Sequence, residues 1–231
     1  MPLSKIRLKV KYTSRNDSLD IRALDAKTLF VKAPQGCSTK DIQDVLKREQ
    51  DKILAMLADA SERFTSIDYR SGGKVLFMGA ELTLQFLELE GYVWRFRKPE
   101  NVLCIDRSHF NNAEIVVKDF YECQAEELRF RCKALAQRHG FAPKRISTRW
   151  TTSRWGSCSG NGNISLSRGL ILAPREIQDY IILHELCHLK QPDHSMAFYA
   201  ILEKLDPDYR EHQAWLKVNG WKLRCFPQTT M

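Results

Sequence analysis

Residues 184–194 read His184-Glu185-Leu186-Cys187-His188-Leu189-Lys190-Gln191-Pro192-Asp193-His194. On a helix, residues four apart lie about 40° from one another around the axis, so His184 and His188 can address one ion. Glu185 projects about 100° from His184, within reach of water at that ion. Imidazole nitrogen suits zinc, and a catalytic zinc site takes three protein ligands and keeps one position open. His194 is the natural third ligand, because Pro192 disfavours helix at Gln191 and lets the chain turn. Glu203 competes for that place from a following helix, but its spacing of fifteen residues from His188 is short for the arrangement. Cys187 lies inside the motif, where three histidines already fill the site.

Working outward, Pro174 opens the motif helix at a position where proline is tolerated, and Ile177, Tyr180 and Ile181 follow at helical spacing. Residues 195–205 predict another helix with Met196, Tyr199, Leu202 and Leu205 toward the core. Pro207 opens a last one that ends near Gly220. Upstream, Leu128, Cys132, Leu135 and Ala136 mark a helix face that stops at Gly140. Strands are expected at 146–150 and, after the Asn161-Gly162 turn signal, at 163–167. This order predicts a compact α+β unit over 119–231.

Residues 1–118 predict a β-rich module with one helix. Alternating runs at 5–12, 19–24 and 28–33 suggest a strand meander. Ser38 serves as N-cap, with Asp41 three residues on, for a helix carrying Ile42, Val45, Leu46, Ile53, Met56 and Leu57. Four further strands follow at 74–77, 81–89, 92–97 and 102–105.

Composition bounds the function. The chain has 231 residues, 43% hydrophobic and 28% charged, as in an ordinary globular protein. No apolar run approaches a membrane span and no secretory block opens the chain, so a cytoplasmic protein with no membrane partner is expected. The seven cysteines form no C-x-x-C pair and read as reduced thiols. A net charge of +8 permits binding of nucleic acid or nucleotide phosphates through a basic surface.

The expected chemistry is hydrolysis: metal-activated water attacks a carbonyl, with Glu185 as general base passing the proton to the leaving amine. Zinc is the default ion, and nickel or cobalt would also suit imidazole ligands. The stretch 149–159 sets two Arg-Trp pairs around small hydroxyl residues and is the candidate substrate strand, with Arg154, Trp155 and Ser157 as candidate substrate-binding residues. His109, His139 and His212 read as structural or solvated.

Arg154-Trp155-Gly156-Ser157-Cys158-Ser159, Gly162-Asn163-Ile164-Ser165-Leu166, the histidine motif with His194-Ser195, and Asp206-Pro207-Asp208-Tyr209-Arg210 together resemble the YgjP-like metal-dependent hydrolases. That bacterial family is grouped with the zincin metallopeptidases and is similar in core to the SprT/Spartan type. The resemblance implies a zincin core over 119–231, with His184, His188 and His194 on zinc and Glu185 as catalytic acid/base. The substrate it implies is open. A peptide or protein comes first. A nucleotide is the alternative, because some relatives carry a UTP pyrophosphatase description, and DNA-linked proteolysis of the SprT kind is a third reading. Ser167, Asp193 and Tyr199 depart from the family pattern, which commonly has asparagine, asparagine and tryptophan there.

Overall fold

The computed structural model describes residues 6–14, 18–25, 27–63, 68–151, 154–220 and 222–224. Mixed sheet and helix give an α+β fold, and the chain divides between Ser66 and Ile67 into two units.

In the first unit, β1 (Arg7–Thr13), β2 (Asp20–Asp25) and β3 (Thr28–Pro34) form a sheet in the order β1-β3-β2. The expected meander is absent, because β1 pairs parallel to β3 and only β2 runs antiparallel to it. Leu29, Val31 and Ala33 of the middle strand pack against Ile42, Leu46, Ile53 and Leu57. The single helix expected there is two, α1 (Thr39–Arg48) and α2 (Gln50–Arg63), separated at Glu49. Ser38 caps α1 as its sequence foretells: its Oγ accepts the Asp41 N–H at 3.1 Å, and the Asp41 carboxylate accepts the Ser38 N–H at 2.8 Å.

The second unit holds two sheets. The strands β4 (Lys74–Phe77), β5 (Ala80–Leu87), β6 (Trp94–Arg97) and β7 (Val102–Asp106) are ordered β4-β5-β7-β6, with β5 and β7 parallel. The long helix α3 (Ala113–Arg138) then leads to β8 (Arg145–Arg149), β9 (Gly156–Cys158) and β10 (Asn163–Ser167), ordered β8-β10-β9. Helices α4 (Arg175–Cys187), α5 (Met196–Leu205) and α6 (Tyr209–Asn219) close the unit.

The boundary expected between 118 and 119 cuts through α3, and α3 explains why the chain does not divide there. Val116, Val117 and Phe120 in its first half share one buried cluster with Val75, Phe77 and Leu103 of β4 and β7. Leu128 and Cys132 in its second half belong to the same cluster, with Ile182, Leu186 and Phe198. A helix that buries both halves of one face in one core cannot be divided between domains.

The same core fixes the motif helix. Nine of the thirteen residues of α4 are buried, including Ile181, Ile182, Leu183, Leu186 and Cys187, as expected for a helix apolar on several sides. Its start is held by the β4–β5 turn: the Met78 N–H donates to Ile171 O at 2.9 Å and the Gly79 N–H to Leu172 O at 2.8 Å. Gly79 has φ +81°, and a Cβ there would lie 2.6 Å from the Pro174 ring. Any larger residue would strain the turn and push on the first turn of α4.

Candidate metal centre

Helix α4 ends at Cys187, with His188 as its C-cap. His184 and His188 therefore stand on its last turn and face the same side. The backbone then tightens, with the Leu189 N–H bonded to Leu186 O and the Lys190 and Gln191 N–H groups to Cys187 O. The Asp193 carboxylate accepts the Ser195 N–H at 3.2 Å and the Gln191 side-chain amide at 2.8 Å. This short loop returns His194 to the two helical histidines. One ligand nitrogen from each of His184, His188 and His194 lies within 4.8 Å of the others.

The geometry suits an ion. Two zinc–nitrogen bonds of about 2.0–2.1 Å at a tetrahedral angle separate their nitrogens by about 3.3 Å. His184 Nε2 and His194 Nε2 are 3.0 Å apart. His188 Nδ1 lies 3.1 Å from Gln191 O, which can only accept, so Nδ1 carries the proton and Nε2 keeps its lone pair for a metal. Burial, with the neighbouring His188 and His194, lowers the His184 pKa to about 4. Burial also lowers that of His188. Neutral imidazoles are the metal-binding form.

Phe198 is the part of the centre that sequence reading missed. Its ring centroid lies 4.9, 4.6 and 4.8 Å from those of His184, His188 and His194, and it is fully buried. The expected inward face of α5 was led by Met196, which is 90% exposed. Leu202 of that face is fully buried, and Tyr199 and Leu205 pack partly against the core, while Phe198, four before Leu202, takes the inward place expected of Met196. A Phe-x-x-x-Leu pair just after the third histidine was the available signal.

Glu185 is buried, 6% exposed, beside the histidines. Burial raises its pKa to about 7, against the opposing effects of Arg154 and of the Cys158 N–H, which donates to its carboxylate. Strand β9, foreseen only as part of a longer substrate stretch, supplies that N–H. β9 is an edge strand, bonded on one side to β10 in the register Ser157↔Ser165.

A cleft of about 460 Å³ brings these parts together. Arg154, Gly156 to Gly160 and Gly162 form one wall, and His184, Glu185, His188 and His194 form the other. Of the three candidate substrate residues, Arg154 and Ser157 line the cleft. Trp155 does not: it packs with the hydrophobic core, near Gly220. Residues 152–153 of the candidate substrate stretch lie outside the described residues.

The other candidates sit elsewhere. Glu203 stands 3.3 Å from Arg210 in an exposed pair and is not part of the histidine cluster. Cys187 is fully buried, and burial raises its thiol pKa to about 12, which disfavours the thiolate needed for ligation. His212 bonds the Asp206 carboxylate at 2.8 Å.

A family model described as the YgjP-like metallopeptidase domain matches residues 17–219. Among solved structures, the chain is similar to the metallopeptidase zymogen of Pyrococcus abyssi abylysin, at 24% identity and a TM-score of 0.35, over 41% of this chain and 95% of that one. No curated protein matches the chain. None of its described helices is long and apolar enough to cross a membrane.

Proposed function

The chain belongs to the YgjP-like metallopeptidase family, and from that premise we propose that it is a zinc-dependent peptidase working at His184, His188 and His194. The observation that carries this reading is the convergence of three imidazole nitrogens within 4.8 Å beside a buried carboxylate in an open cleft. A divalent ion held by the three imidazoles supplies Lewis acidity, polarising a substrate carbonyl and making water more acidic.

The chain's own residues do the rest. Glu185, with a proton affinity raised by burial, takes a proton from the attacking water and returns it to the departing amine nitrogen. The Cys158 N–H holds the carboxylate, and the charge of Arg154 together with that bond limits the rise. The outer edge of β9, apart from the Cys158 N–H that Glu185 takes, offers main-chain groups to an extended peptide, which would add as a further strand alongside Gly156–Cys158. Ser157 and Arg154 then lie beside the substrate, and Arg154 would favour an acidic group near the bond to be cut.

Arg154 also supports a second reading. A cation in the cleft suits a triphosphate, so nucleotide pyrophosphatase action on UTP is the alternative. One screen separates the two: metal-loaded wild type and Glu185→Gln are offered peptides and nucleoside triphosphates side by side. The peptidase reading expects peptide cleavage that is lost in Glu185→Gln with metal content retained. Wild-type turnover by that variant would remove Glu185 from its role. Pyrophosphate release from UTP that stops in His184→Ala, with no peptide cut, would favour the nucleotide.

A further inference from the structure

The sheet of the first unit has two chemically different faces. In-register pairing sets Leu8, Val10 and Tyr12 of β1, all exposed, beside Leu29, Val31 and Ala33 of β3, which pack against α1 and α2. The period of two then sends the intervening residues to the opposite side. There Lys9 pairs with Phe30 and Lys11 with Lys32, and Arg7 extends the row along β1. Arg7, Lys9 and Lys11 are exposed, and Phe30 and Lys32 partly so. Among the described residues none of the four cations has a carboxylate partner. Asp20, opposite Lys32 on β2, is an acid that the register places on this face.

Lysines on an edge strand commonly guard it against pairing with other chains. That accounts for Lys9 and Lys11, but not for Lys32 and Phe30, which stand on the middle strand. We propose that this face binds single-stranded nucleic acid, with phosphates on Arg7, Lys9, Lys11 and Lys32 and a base stacked on Phe30. The three β1 cations are spaced at about 6.6 Å, twice the rise of a strand, so they can track an extended sugar–phosphate chain. A cationic surface around an aromatic platform is the chemistry that holds single strands with little regard to sequence. Both helices of the unit pack on the other side of the sheet, so this face offers no helix to a duplex groove. A bilayer is disfavoured because Leu8, Val10 and Tyr12 face away from the cations.

The test uses the full chain and fluorescence anisotropy with labelled oligouridylate and oligothymidylate of about 12 nucleotides, a length within the usual site size. Four phosphate contacts predict binding that weakens about 50-fold between 50 and 200 mM salt. Lys9→Gln with Lys11→Gln should halve the salt slope, since two contacts are removed. Phe30→Leu, which keeps an apolar side chain but loses the ring, should weaken binding about fivefold or more without changing that slope. Unchanged metal content and circular dichroism would confirm that the variants fold. The proposal is overturned if neither oligonucleotide binds at 50 mM salt. It is equally overturned if both variants bind as wild type does, or if anionic lipid vesicles bind while the oligonucleotides do not.

Discussion

Gly156 stands against Glu185 so closely that a Cβ on the glycine would lie 2.5 Å from Oε1 and 2.6 Å from Cγ of the carboxylate side chain. Strand β9 therefore does two things for Glu185: its Cys158 N–H holds the carboxylate, and its bare glycine leaves the space the carboxylate occupies. Gly156→Ala should displace Glu185 while leaving the three histidines in place. Misplacement by about 1 Å costs on the order of 100-fold in rate. Turnover in Gly156→Ala should fall by that order with metal content unchanged, and near wild-type turnover would show that the contact is not a constraint.

Metal titration tests the proposed place of His194 as third ligand. His194→Ala should weaken zinc binding by more than about 100-fold, beyond the usual effect of losing a supporting contact to a ligand. Glu203→Ala, which removes only the exposed pair with Arg210, should bind zinc as wild type does. Equal affinities for wild type and His194→Ala would remove His194 from the site.

Phe198 carries the three imidazoles on one ring, so its loss should be felt twice. Phe198→Ala should destabilise the fold by about 3–5 kcal/mol, the cost of a large-to-small change in a packed core. It should also weaken zinc binding, because the rings it orients gain freedom. Urea denaturation of the chelated protein measures the first effect and competition with a chromophoric chelator the second. A destabilised variant with wild-type affinity would limit Phe198 to packing.

Proton linkage makes a distinct prediction for the metal-free protein. His184 has its pKa lowered from 6.5 to about 4, so between those values the unfolded chain binds the extra proton and stability is lost as pH falls. Glu185 has its pKa raised from 4.5 to about 7, so in that window the folded chain binds the extra proton and stability is lost as pH rises. From about 4.5 to 6.5 the two oppose each other. Glu185→Gln removes one side of the balance, so its stability should climb with pH more steeply than that of wild type. Thermal melts in chelator at pH 4.5, 5.5 and 6.5 provide the comparison, and parallel curves would refute it.

The parts of the centre that lie close in sequence were legible without coordinates. Helical spacing set His184, Glu185 and His188 on one turn, and the Pro192 break pointed to His194. Those inferences need only local geometry, which a few residues specify. The capping box at Ser38 and Asp41 was readable for the same reason. Contacts between distant segments were not. Cys158 and Gly156 lie more than 25 residues from Glu185, and nothing in their spacing announces that β9 shields and holds that carboxylate. Leu202, Tyr199 and Leu205 of α5 turn inward as their spacing indicates, but the apolar residues at its start fit more than one face, and only packing against the histidines selects Phe198 over Met196.

Taken by itself, then, the sequence determined which three histidines could converge and in what order, because a helix and a proline-broken loop carry that information within eleven residues. Tertiary structure decided where the chain divides, because α3 buries both of its halves in one core. It also decided the face and fit of the site: Trp155 turned to the core, Arg154 and Ser157 to the cleft, and Glu185 sank beside an edge strand. Which way a side chain of mixed character turns depends on neighbours that folding brings from elsewhere in the chain.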